Sequence, residues 1–184
     1  MRYWEINGNL YSEQTGLQNI ELFQNAIIKT KLVFDNVFGQ EKMNRVPFCV
    51  DNATADSGYT PICTPVLRKV VVIKLGIYSN DDEAKVAYQF AHELTHVVFW
   101  GQFGFDKPHA NDDEEAICTA AALSIVRMLY PNRFEAFKRS AMGNIYLGYR
   151  KGAELAEELS YELTRIKACI ESFQYECCTQ QAFA

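Results

Sequence analysis

Residues 90–100 read Phe-Ala-His-Glu-Leu-Thr-His-Val-Val-Phe-Trp, three ionisable side chains set into an otherwise apolar run. A helix with apolar residues on every side belongs in the interior rather than on the surface. Asn80-Asp81-Asp82-Glu83 marks its start, a capping residue followed three positions later by Glu, and Gly101 stands after Trp100 as a stop. The chain must therefore wrap a helix running from Asn80 to about Trp100. It must also give His92, Glu93 and His96 partners inside, because a buried polar group left unsatisfied costs about 1–3 kcal/mol. The length of 184 residues matches one domain, 1–184, of roughly the common size.

The remaining pattern supplies the wrapping. Tyr3 to Ser12 reads as a small hairpin, with Asn7-Gly8 suited to a type I′ turn. Leu17 to Phe38 reads as a helix whose apolar face carries Ile20, Phe23, Ile27, Phe34 and Phe38, with Gly39 as its stop. Pro47 to Pro65 is turn-rich, with one short strand near Phe48-Cys49-Val50. The run Val70-Val71-Val72-Ile73 is the strongest strand signal, extending to Leu75. A second capped helix opens at Asn111-Asp112-Asp113-Glu114 and ends before Pro131. Helices from about Asn132 to Met142 and from about Tyr149 to Tyr175 complete the chain. Few, early strands followed by helices define an α+β class, a small mixed sheet packed on the apolar helix with a largely helical C-terminal part.

Several function classes are disfavoured. A net charge of −5 with no basic stripe argues against a nucleic-acid binder. No stretch approaches the roughly 18 apolar residues of a membrane span, and the first residues lack a secretory signal, so the expected location is cytoplasmic. None of the 6 cysteines forms a C-x-x-C pair, which disfavours a cysteine zinc knuckle, and Cys177-Cys178 reads as two reduced thiols.

The apolar helix carries His92-Glu93-Leu94-Thr95-His96, the pattern H-E-x-x-H. Residues i and i+4 share a helix face about 6 Å apart along the axis, so two imidazoles can hold one zinc ion. Glu93 is placed to take a proton from a water activated by that ion. Two of the chain's 3 histidines fall in this motif. A catalytic zinc takes three protein ligands and a water. The metzincin pattern needs glycine at position 99 and histidine at position 102, where Phe99 and Gln102 stand. The gluzincin pattern takes a glutamate from a following helix, and Glu114 and Glu115 are both available. With Asn111 as N-cap, Glu114 is N3 and can fold back onto the cap, at a value of about 1 kcal/mol. Glu115 is then the freer and favoured ligand, with Asp112 and Asp113 complementing the helix dipole. A deformylase-like site would instead recruit Cys63, but Ile62-Cys63-Thr64 does not resemble its Gly-Cys-Leu motif. His109, the third histidine, lies in the loop between the two helices and is a candidate for stabilising an oxyanion, as are Tyr146, Tyr149 and Tyr161.

His92-Glu93-Leu94-Thr95-His96-Val97-Val98-Phe99, followed by Glu115-Ala116 with Ala120, Ala121, Leu123 and a closing Pro131, resembles a minimal gluzincin of the ImmA/IrrE type. The resemblance spans about Val70 to Pro131. It implies a zincin-like fold and zinc on His92, His96 and Glu115, with Glu93 as general base. It also implies a protein or peptide substrate, in some members one regulatory protein. Thermolysin-like relatives carry an aspartate one turn after the ligand glutamate, where this chain has Thr119. In zincins the strand before the active helix is an edge that pairs with extended peptides. The run Val70 to Leu75 fits that role, or equally a buried strand. The rival functional class is a zincin-like protein-interaction module with little or no turnover.

Overall fold

The computed structural model describes residues 3–6, 9–12, 23–53, 60–78 and 80–175. In chain order these form β1 (Tyr3–Ile6), β2 (Asn9–Ser12), α1 (Gln24–Phe38), the short α2 (Gln40–Met43), β3 (Phe48–Asn52), β4 (Ile62–Val66) and β5 (Val70–Leu75). They continue as α3 (Glu83–Phe103), α4 (Asp112–Leu129), α5 (Pro131–Met142), α6 (Leu147–Glu158) and α7 (Leu163–Ser172). The class is mixed α+β, as the sequence pattern implies.

The strands make one sheet in the order β1-β2-β3-β5-β4. β1 and β2 pair antiparallel with Ile6 opposite Asn9, the expected hairpin; its turn residues lie outside the described residues. β3 runs parallel to β5 from Phe48↔Val71 to Asn52↔Leu75. Val70–Leu75 is therefore an interior strand, and its alternation of half-buried and buried residues fits a sheet with one face on the core. The edge is β4, which pairs antiparallel with β5 and is exposed along most of its length. This corrects the turn-rich reading of Pro47 to Pro65. The β4–β5 turn is closed by Leu67 and Arg68, both at positive φ (52° and 56°). No glycine or asparagine announces it, and such residues are the usual signal for that backbone.

The helices follow their caps. α3 begins two residues later than Asn80 implies, because the Asp82 side chain accepts from the Lys85 N–H at 2.8 Å and is the true N-cap. It ends at Gly104 with φ 80°, slightly beyond Trp100. Asn111 caps α4 as expected, accepting from Glu114 N at 2.9 Å. The single helix expected from Tyr149 to Tyr175 is instead two, α6 and α7. Tyr161 N–H bonds Ala156 O and Ser160 N–H bonds Glu157 O, the paired closure of a Schellman motif, with Ser160 at φ 56°.

α3 lies at the centre. Phe90, Ala91, Leu94 and Phe99 are fully buried among Phe34 of α1, Phe48 and Ile73 of the sheet, and Leu123 of α4. α6 crosses α4 in close contact at Gly148 and Gly152, where no side chain of α6 would fit. A Cβ built on Gly152 falls 2.5 Å from Thr119 Cβ and 2.7 Å from Ala116 O, and one on Gly148 falls 2.6 Å from Glu115 Cβ. No described helix is long and apolar enough to cross a membrane.

This contact has a measurable consequence. Gly152→Ala should destabilise the protein by about 1–3 kcal/mol, the usual penalty for overpacking a filled interior, read as a lower denaturation midpoint. An unchanged midpoint would mean that α6 is not seated on α4 in this way.

Candidate metal centre

His92, Glu93 and His96 project from the middle of α3 and are almost fully enclosed, at 4%, 5% and 6% exposure. Opposite them stands the first turn of α4. His92 Nε2 lies 3.1 Å from Glu115 Oε2, and His96 Nε2 lies 3.4 Å from Glu115 Oε1. The ligand atoms of His92, His96 and Glu115 all lie within 4.8 Å of one another. Among the described residues this is the set of histidine, cysteine and acidic side chains that converges closely enough to hold a metal ion. Two imidazole nitrogens and one carboxylate form a donor set suited to zinc-like divalent cations. Glu115 retains 30% side-chain exposure, which leaves the set open on the cleft side.

Glu115 is thus the glutamate of the pair that faces both histidines. Gly148 and Gly152 let α6 press directly on α4 at Glu115 and Thr119, so the α4 backbone is fixed where the Glu115 side chain leaves it. Burial alone would raise the Glu115 carboxyl. Hydrogen bonds from His92 and His96, with their charge, outweigh that and hold it well below the ordinary carboxylate range.

Glu114 does not act as sequence reasoning placed it. Its backbone N–H meets the Asn111 cap, but its carboxylate turns inward with 0% exposure. There it accepts from His96 Nδ1 at 2.7 Å, from Lys107 Nζ at 2.8 and 2.9 Å, and from the Tyr175 hydroxyl at 2.6 Å. The cap-folding role is therefore wrong. A carboxylate surrounded by a buried ammonium and an imidazole N–H is worth more to the fold there than on a solvated helix end. Burial disfavours its charge, but these hydrogen bonds hold its pKa below the ordinary value. Glu114 also gives His96 the carboxylate partner on Nδ1 that Thr119 does not supply. With Nδ1 held 2.7 Å from Glu114, the His96 ring is oriented with Nε2 toward Glu115. His92 Nδ1, by contrast, is buried with no hydrogen-bond partner among the described residues. Burial opposes a charged His96, yet Cys118, Cys63 and Glu114 prevail and raise its pKa well above the ordinary value.

The triad forms the floor of a cleft of about 480 Å³. One wall is the β4 edge, from Pro61 to Pro65. The opposite wall is Tyr149 of α6, whose ring stacks on His92 at 5.3 Å with an interplanar angle of 20°. Burial, with Glu115 and Glu93 nearby, pushes the Tyr149 phenol up to about 12. The 104–110 loop closes one end, bringing the exposed His109 to the rim. Arg68 of the β4–β5 turn pairs with Asp106 of that loop. Tyr146 and Tyr161 are not among the residues lining the cleft: Tyr146 is largely exposed, and Tyr161 packs edge-on against Phe134. Asp113 pairs with Lys151 at 2.8 Å rather than serving the dipole alone. Cys63 lines the cleft beside Glu93 but stays outside the converging set. Burial pushes its thiol well up; His96 opposes that and Glu93 adds to it. Cys49, Cys63, Cys118 and Cys169 are free thiols, while Cys177 and Cys178 lie outside the described residues.

Lys107, Tyr175 and Cys118 were not singled out from sequence. Lys107 is the one lysine in the 104–110 loop, and nothing in the local pattern marks it as buried. Comparison with known proteins yields no match: no family model, no curated protein and no solved structure matches the chain.

The two glutamates should separate in the metal-free protein. Glu114→Ala leaves Lys107 buried beside an empty space, so it should lower unfolding free energy by about 3–5 kcal/mol, well above the roughly 1 kcal/mol of a cap. Chemical denaturation in the presence of a chelator measures this, and a loss near 1 kcal/mol would return Glu114 to capping.

Proposed function

We propose that the chain is a zinc-dependent peptidase with a zincin-like fold, of the gluzincin kind that the ImmA/IrrE-type enzymes represent. In this reading it cleaves a peptide bond in an extended segment of a cytoplasmic protein, in the simplest case one regulatory partner. The observation that carries the reading is the convergence of His92, His96 and Glu115 beneath β4, an edge strand among the described residues, with Glu93 on the same floor.

The edge has the right backbone for this. Val71 N–H donates to Pro47 O at 2.9 Å, on the β3 side of β5. Pro65, opposite Val71, therefore sits at a non-hydrogen-bonded position, as a residue without an N–H must. With a period of two, Cys63 opposite Ile73 does the same. Its N–H and C=O point away from the sheet, toward the cleft side of β4. An extended peptide can pair there by backbone hydrogen bonds, independently of its side chains, and lie across the triad.

His92 and His96 through Nε2, and Glu115 through its carboxylate, are the residues that would hold the ion. When bound, a zinc ion supplies Lewis acidity, polarising a carbonyl and making water a better nucleophile near neutral pH. Glu93 accepts the proton of the attacking water and passes it to the leaving amine. Tyr149, whose raised pKa keeps its hydroxyl protonated at neutral pH, and His109 at the rim are the donors available to a developing oxyanion. Glu114 holds His96 in register throughout. The free thiols accord with a reducing compartment.

Metal analysis and turnover test this together. The parent should carry one zinc per chain, and His92→Ala, His96→Ala or Glu115→Ala should lose it. Glu93→Gln should keep the zinc while cleavage of a trapped partner protein falls by about 10²–10⁴-fold, the usual contribution of general-base catalysis. Zinc retained in all three ligand variants overturns the site. Full cleavage by Glu93→Gln overturns the mechanism, and a parent that binds partners without cleaving them makes the chain an interaction module.

A further inference from the structure

Beyond the cleft, the Glu114 carboxylate is the hub of a network that leaves α3 and α4 altogether. Tyr175 lies past the end of α7, yet its hydroxyl reaches Glu114 Oε2 at 2.6 Å. The segment that carries it is strapped over the C-terminal half of α3. Phe173 packs edge-on against Phe99 with ring centroids 5.1 Å apart, and Tyr175 packs against Phe103 at 5.3 Å. Lys107, with 3% side-chain exposure, is enclosed between the rings of Trp100 and Tyr175 at 5.3 and 5.4 Å while its ammonium meets both oxygens of Glu114. His96 completes the set through Nδ1.

A carboxylate offers about four acceptor positions, and here Nδ1–H, the ammonium and the phenol claim them. Each donor restricts where the other two can pull the carboxylate. Without the phenol, Glu114 is held by the ammonium and His96 alone and is free to turn toward Lys107. The Nδ1–H bond then lengthens, and the aim of Nε2 loosens. Partners of this kind behind a ligand histidine typically matter by about 10–100-fold in metal affinity.

We propose that Tyr175 is a positioning residue for the metal centre: the segment following α7 is a strap that, through Tyr175 and Lys107, fixes Glu114 and thereby the orientation of His96. The proposal rests on the metal-site reading above. It goes further by making metal affinity depend on a segment remote from the motif in sequence and outside the cleft.

The test compares the full-length parent with Tyr175→Phe, which removes only the hydroxyl and keeps the aromatic packing. Zinc affinity is measured by competition with a chromophoric chelator. The visible spectrum of the cobalt-substituted protein reports ligand geometry independently of turnover. Tyr175→Phe is expected to bind zinc about 10–100-fold more weakly and to shift the cobalt bands, with Tyr161→Phe, a phenol away from the network, unchanged. Lys107→Gln, which keeps a hydrogen-bond donor but no charge, is expected to weaken binding in the same direction and serves if the tyrosine variant folds poorly. Zinc affinity within twofold of the parent and an unaltered cobalt spectrum in both Tyr175→Phe and Lys107→Gln overturn the strap. A parent that itself binds neither zinc nor cobalt overturns the metal-site reading instead, a result distinguishable because it appears before any variant is made.

Discussion

A carboxylate with no exposed surface has to be answered from inside the protein, and Glu114 imposes that condition on everything around it. The N-terminus of α4 provides part of the answer, since helix dipoles favour an anion in the first turn. The rest comes from three separate stretches of chain: His96 from the central helix, Lys107 from the connecting loop and Tyr175 from beyond the last helix. The loop is pinned by its lysine and the end of the described chain by its tyrosine. Neither needs a large apolar interface of its own, because a charge-assisted hydrogen bond in a dry environment is strong and directional.

The cleft inherits its shape from this arrangement and from one close helix contact. With the loop held by Lys107 and Glu114, and tied to the β4–β5 turn through Asp106 and Arg68, the end of the cleft is closed. With α6 seated on α4 through Gly148 and Gly152, Tyr149 is carried over His92 and Glu115 is held under it. The polar floor is thus bounded by the 104–110 loop and by α6, neither of which supplies a member of the His92, His96 and Glu115 set. The sheet supplies the remaining wall through β4, whose partner β5 is buried on the core and cannot follow a movement of the edge.

The part of the site that was legible in the sequence is the part built on one helix. H-E-x-x-H in an apolar run dictates burial, spacing and shared face by helical geometry alone. Asn111 fixes the phase of α4 closely enough to favour Glu115. What sequence did not yield depends on contacts between distant segments. Glu114 is a good capping-box residue by local rules, and only the presence of Lys107 and Tyr175 turns it inward. The edge strand was missed because Pro65 within it, Pro61 before it and the turn residues Leu67 and Arg68 carry no hairpin signature. The break between α6 and α7 was missed because Ser160 closes it in a conformation usually given to glycine. Asn80 yielded to Asp82 as the cap of α3 because both residues fit the pattern and only the backbone trajectory chooses between them.

The seating of α6 on α4 also divides the labour of the molecule. At Gly148 and Gly152 the α6 backbone itself rests on Glu115 and Thr119 of α4, so α6 has no side chain at these points to exchange for another. That wall tolerates little drift, and the placing of Glu115 against His92 and His96 is maintained there by sterics. The facing wall is the opposite case. Ile62 and Thr64 line the cleft with exposed side chains on a strand held by its backbone, so each can be replaced without disturbing the sheet. Variation in what the cleft accepts can accumulate along one side while the other stays fixed, and the two properties are free to evolve at different rates.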